Sequence, residues 1–201
     1  MLDATLRRFI DPPLDAVARL LVRRGVTADA LTLAGLAVSL AAVAAIASGA
    51  FALALGGVAL SRLLDGLDGP VARCTTPTDR GGYLDSVCDY VFYAGVPFGF
   101  ALAAPATNAL PAAALLASFL LTCVTFLAFA ALAAKRGVET TARGRKSFFY
   151  AGGLVEGTET IALFVAMLLW PGWFPLLAWM GAAACVVTAL FRTLGALDRF
   201  R

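Results

Sequence analysis

Residues 65–89 read DGLDGPVARCTTPTDRGGYLDSVCD, setting Asp65, Asp68, Asp85 and Asp89, with Arg73 and several glycines, against sequence that is otherwise apolar. A charged side chain at the centre of a membrane helix costs about 2.5–3.5 kcal/mol on insertion scales. Carboxylates kept in such surroundings need a function that holds them there. Asp65 and Asp68 are three residues apart, and Asp85 and Asp89 four, so in two helices each pair projects from one face. The connection from Cys74 to Gly81 is short enough for the two helices to pack antiparallel and bring the pairs together.

Four converging carboxylates form an all-oxygen site suited to hard divalent cations such as Mg²⁺ or Mn²⁺, with capacity for two ions. The chain has no histidine, and no cysteine pair stands nearby, so the set does not suit zinc. Gly69 and Gly81 leave room for a ligand against the backbone where the helix ends approach. Arg73, two turns from Asp65, places a guanidinium where it can grip a phosphate. Metals, phosphate grip and open backbone together point to phosphoryl-transfer chemistry.

Working outward, the 201 residues are 61% hydrophobic and 14% charged, with a mean hydropathy of +0.85, which excludes an ordinary soluble composition. The expected fold is all-α: a polytopic membrane protein of six transmembrane helices preceded by an interfacial amphipathic helix. Residues 1–25 form the interfacial segment. Leu14, Val17, Ala18 and Leu21 make an apolar stripe opposite Arg19 and Arg23, and Asp11-Pro12-Pro13 is expected to break the helix. A helix packed on the rest of the protein would show the same stripe. Gly25 ends this segment, and no cleavable leader is expected.

Residues 26–201 form the membrane domain, with spans expected at 30–47, 51–73, 82–104, 112–134, 148–169 and 176–197. Ser48-Gly49, Pro105 to Pro111 and Pro171 to Pro175 are read as the connections on one side. All sixteen Lys and Arg residues fall outside those three connections, and so do the thirteen acidic residues. By the positive-inside rule both termini and the aspartates face the cytoplasm, in what is expected to be a bacterial inner membrane. Cys74, Cys88, Cys123 and Cys185 have no metal or redox spacing and read as small apolar fillers.

The pattern Asp65-x-x-Asp68-Gly69-x-x-Ala72-Arg73, seven residues, then Gly81-x-x-x-Asp85-x-x-x-Asp89 resembles the signature of the CDP-alcohol phosphotransferases, integral membrane enzymes of phospholipid synthesis. The resemblance implies Asp65, Asp68 and Asp85 as metal ligands, with Asp89 as the base that takes the acceptor's proton while touching one metal. Spacing by itself does not single out the base. It further implies Gly69, Ala72 and Gly81 beside a cytidine nucleotide, with Arg73 near its phosphates. The expected reaction transfers a substituted phosphate, with CDP-diacylglycerol as the expected donor, to the hydroxyl of an acceptor alcohol and releases CMP. Membrane lipid and a homodimer partner are implied too, and no nucleic-acid partner is expected.

Candidate acceptor contacts lie further along. Arg136, Arg143 and Arg145 belong to a basic loop spanning residues 135–147, which would also serve topology and lipid attraction. In family members with phosphorylated acceptors this region binds phosphate. Glu156 and Glu159, three apart at the start of the fifth span, share a face and suit either those arginines or a polar or cationic head group. Asp29 stands where the family often has asparagine, and Thr32 where it often has threonine. A cation or proton transporter is the alternative reading. It would require acidic residues at mid-depth and on both sides, against the one-sided distribution here.

Overall fold

A computed structural model describes residues 2–136 and 157–200. All the regular structure of those residues is helical: α1 (Leu2–Arg23), α2 (Ala28–Ala47), α3 (Phe51–Cys74), α4 (Asp79–Ala103), α5 (Pro105–Lys135), α6 (Gly157–Leu169) and α7 (Phe174–Arg199), with a 3₁₀ turn at Pro171–Trp173. Among the described residues, four stretches are long and apolar enough to cross a membrane: Ala28–Ala47, Asp79–Ala103, Pro105–Lys135 and Pro171–Arg199. α3 has the length but carries Arg62, Asp65, Asp68 and Arg73.

The turns follow their sequence signals. Gly25 and Gly49 adopt φ of 78° and 77°, and each closes a helix end. Val26 N–H donates to Leu21 C=O and Gly25 N–H to Val22 C=O, and the same pair of bonds recurs after α2 from Ala50 and Gly49. This is the αL ending that glycine makes without steric penalty. Thr27 and Thr78 cap α2 and α4, their hydroxyls accepting from the amides of Ala30 and Gly81.

Three expectations need correction. α1 runs through Pro12 and Pro13 without a break. Leu14 and Leu21 pack against the cluster of Ala18, Leu31, Leu67 and Val71, and this packing on α2 and α3 offsets the helical hydrogen bonds the prolines remove. Residues 105–111, expected to be a loop, are the first turns of α5. Pro105 sits at the helix start, where its missing N–H is no loss. The side-chain amide of Asn108 donates to Phe100 C=O at 2.9 Å, satisfying a carbonyl in the last turn of α4, so the chain reverses about Ala104 alone. Finally, α3 and α4 do not chiefly pack on each other. Both take their most extensive packing from α2.

The main core joins α2 to α7: Ala42 and Ile46, Val58, Phe92, Val96 and Phe100, Leu115, Phe164 and Met167, Phe174 and Ala178. Phe100 stacks on Phe174 with centroids 4.4 Å apart and on Phe51 at 5.5 Å. These rings close the end of the bundle opposite the aspartates, which lie towards the end of α3 and the start of α4.

Candidate active site

Position and helical period decide the site. Asp65 and Asp68 lie in the second half of α3, and Asp85 and Asp89 in the first half of α4, so the connection between these helices places both pairs at one end of the bundle. One carboxylate oxygen each of Asp65, Asp68 and Asp85 falls within 4.8 Å of the other two. Asp68 is buried and accepts a 2.6 Å hydrogen bond from the Thr32 hydroxyl of α2. Thr32 also donates towards Ala28 C=O at 3.1 Å, so its hydroxyl is held between its own helix and the Asp68 carboxylate. Three carboxylate oxygens without nitrogen or sulfur form the donor set of a hard divalent cation.

Asp89 lies outside this trio. Its Oδ1 accepts from Nη1 of Arg62 at 2.7 Å, and the same nitrogen lies 3.3 Å from Oδ2 of Asp65. Arg62 therefore ties the two aspartate pairs together. Its guanidinium lies 3.9 Å over the ring of Phe92, and Nη2 donates to Ser61 Oγ at 3.2 Å. Ser61 in turn shares a 2.6 Å hydrogen bond with Ser39 of α2, both hydroxyls being buried. Sequence reasoning gave Arg62 no role. The available signal was its place three residues before Asp65, on the same helix face.

Around this centre the small residues have structural explanations. A Cβ at Gly69 would stand 3.5 Å from Nη1 of Arg73, so the absent side chain leaves space beside that guanidinium. Arg73 is exposed and reaches Asp15 of α1 at 3.4 Å, an ion pair of the solvent-exposed kind that contributes little. A Cβ at Gly81 would meet Thr78 Oγ1 at 3.2 Å and Asp29 Oδ1 at 3.3 Å, so Gly81 lets the α4 cap and the start of α2 close together. Asp29 also lies 3.9 Å from Nε of Arg80. Ala72 is half-buried, and its carbonyl accepts from Thr75 N–H at the end of α3.

Of the candidate acceptor contacts, Arg136 is engaged with α7, donating to Phe200 C=O at 3.2 Å and lying 4.9 Å over its ring. Glu159 lies in the first turn of α6 and does not join the aspartate trio. Arg143, Arg145 and Glu156 lie outside the described residues.

The family model described as CDP-alcohol phosphatidyltransferase matches residues 25–191. Inner membrane protein YnjF of Escherichia coli K12 is 50% identical over 192 residues, which is 96% of this chain and 93% of that protein. Archaetidylinositol phosphate synthase of Methanothermobacter thermautotrophicus is 44% identical over 85 residues, 42% of this chain and 40% of its own. Among solved structures, the Mycobacterium tuberculosis phosphatidylinositol phosphate synthase PgsA1 is 25% identical in two states. With CDP-DAG bound it gives a TM-score of 0.66, covering 91% of this chain and 92% of that one. In complex with manganese and citrate it gives 0.68, covering 92% and 88%. With the aspartate signature intact across α3 and α4, the chain belongs to the CDP-alcohol phosphatidyltransferase family, as a transferase of substituted phosphate groups in phospholipid synthesis.

Proposed function

We propose that the chain transfers a phosphatidyl group from CDP-diacylglycerol to the hydroxyl of a polar acceptor alcohol, releasing CMP. The observation that carries this reading is the convergence of Asp65, Asp68 and Asp85 on one point, with Asp89 one helical turn beyond Asp85. In this proposal Asp65, Asp68 and Asp85 hold a divalent ion, Mg²⁺ or Mn²⁺, and Asp89 completes the site of a second. When bound, such ions neutralise the donor's diphosphate and stabilise the departing CMP. Gly69 leaves space for the nucleotide beside Arg73, Ala72 and Gly81 are its further proposed contacts at the two helix ends, and Arg73 exchanges Asp15 for a phosphate. Asp89 takes the proton of the acceptor hydroxyl. The hydroxyl oxygen bonds to the phosphatidyl phosphorus as the bond to the bridging oxygen breaks, and CMP leaves with that oxygen.

An inositol phosphate is the acceptor to try first, because the synthases with related sequence and fold are named for inositol phosphate products. Arg136, Arg143, Arg145, Glu156 and Glu159 are the proposed acceptor contacts. The topology proposed is six spans, α2 to α7, as the domain of residues 26–201, with the aspartates towards the cytoplasm of an inner membrane. Residues 1–25 lie along the membrane surface: Ala18 is buried on the protein while Val17, Leu20, Arg19, Arg23 and Arg24 are exposed. A homodimer completes the reading.

The test is CMP release from CDP-diacylglycerol by purified protein in detergent with Mg²⁺ or Mn²⁺. Inositol phosphate, glycerol phosphate, inositol and serine are offered in turn, with Asp89→Asn alongside. Acceptor-dependent release that the variant loses supports the proposal. Release with none of these acceptors under either metal removes it.

A further inference from the structure

We propose that Arg62 is a built-in cation at the position of the second divalent ion, so that the aspartate trio binds one ion tightly and a second ion must displace the guanidinium. The inference rests on the reading of Asp65, Asp68 and Asp85 as metal ligands. Arg62 contacts both carboxylates that a second ion would need, Asp89 at 2.7 Å and Asp65 at 3.3 Å, and Asp65 belongs to the trio as well. Nη1 faces both carboxylates while Nη2 is held by Ser61, a division of donors within one planar group that a lysine ammonium cannot reproduce. The position is also built from behind. Phe92 supports the guanidinium plane, and Ser61, itself held by Ser39, accepts from Nη2.

Charge balance gives the consequence. With all four aspartates ionised, as ligands of an ion must be, they and Arg62 sum to minus three, which one divalent ion brings to minus one and a second to plus one. In apolar surroundings an over-neutralised site is disfavoured, so the second ion and Arg62 compete. Arg62 can be given up. Its Nε is buried with no hydrogen-bond partner among the described residues, so its present place is incompletely satisfied. A donor diphosphate brings the negative charge that makes the second ion favourable. Second-ion occupancy thereby becomes tied to the presence of substrate.

The experiment is Mn²⁺ binding to the purified full chain in detergent without donor, read from the electron paramagnetic resonance of free Mn²⁺. The wild type is expected to bind one ion with a second at least about tenfold weaker. Arg62→Gln should strengthen the second site by about tenfold or more with the first ion still bound, which also shows that the variant is folded. Arg62→Lys should fall between them. Two equivalent ions on the wild type overturn the inference, as does Arg62→Gln keeping the first ion without tightening the second. No Mn²⁺ on the wild type removes the metal-centre reading itself. If Arg62→Gln does not fold, the wild-type isotherm and Arg62→Lys decide.

Discussion

Thr32, one turn into α2, donates a 2.6 Å hydrogen bond to Oδ2 of Asp68 across the interface with α3. A ligand carboxylate fixed from behind keeps its other oxygen aimed at the ion, and removing such outer partners usually weakens metal binding about 10–100-fold. Thr32→Val keeps the shape and deletes the donor. It is expected to weaken Mn²⁺ binding to that extent, with CMP release falling in parallel, while Thr32→Ser stays near wild type. Unchanged Mn²⁺ binding in Thr32→Val would reduce Thr32 to a space-filling role.

Asp68 and Asp89 should separate in the assays. Asp68→Asn removes a member of the trio and is expected to lose Mn²⁺ binding and CMP release together. Asp89→Asn leaves the trio intact. It should keep the first Mn²⁺ while CMP release falls by about 10²–10⁴-fold, the usual loss of a general base. Chelation of divalent ions should silence the wild type, and added Mn²⁺ should restore it. Loss of the first ion in Asp89→Asn would move that residue into the trio's role.

Two adjacent glycines of α3 give a packing test with an internal control. A Cβ at Gly57 would stand 2.9 Å from Cβ of Ala42 on α2, whereas one at Gly56 meets nothing within 4 Å. Gly57→Ala is expected to lower stability by about 1–3 kcal/mol through overpacking. Gly56→Ala should match or exceed the wild type, since alanine favours the helix by about 1 kcal/mol in water. Thermal unfolding in detergent reads both, and equal melting of the two variants would refute the α2–α3 contact.

Topology has its own probe in Cys74, an exposed thiol at the end of α3, while Cys88 and Cys185 are buried. A membrane-impermeant maleimide is expected to label Cys74 in inverted vesicles and not in right-side-out ones. CDP with Mg²⁺ should slow the labelling, because Cys74 follows Arg73 directly. Labelling from the outside alone would invert the proposed orientation.

The aspartate signature was legible because helical period is a local property: three- and four-residue spacing puts carboxylates on one face whatever the helix packs against. The ends at Gly25 and Gly49 were legible for the same reason, since glycine in the left-handed region is a demand of the backbone. Arg62 was not. Half of its meaning lies in Asp89, which is 27 residues away on another helix. The start of α5 reads as a loop from its sequence, yet proline at the first helical position fits a helix. What made so short a reversal workable was a side chain four residues into the next helix, Asn108, reaching back to Phe100.

α2 supplies none of the trio yet packs on both helices that do. α2 meets its neighbours through glycines: Gly57 of α3 faces Ala42, and on α4 Gly95 faces Val43, while Gly99 lies 3.0 Å from the Val43 carbonyl and 3.1 Å from Ile46, distances counted from a Cβ these residues lack. Those contacts lie away from the aspartates, towards the opposite end of the bundle. A bulky residue at Gly95 or Gly99 would pry α4 from α2 there and swing Asp85 and Asp89 relative to Asp65 and Asp68 without touching any of them. The two aspartate helices are thus levers, and the glycine seams of α2 are the fulcrum on which the gap between the carboxylates is set.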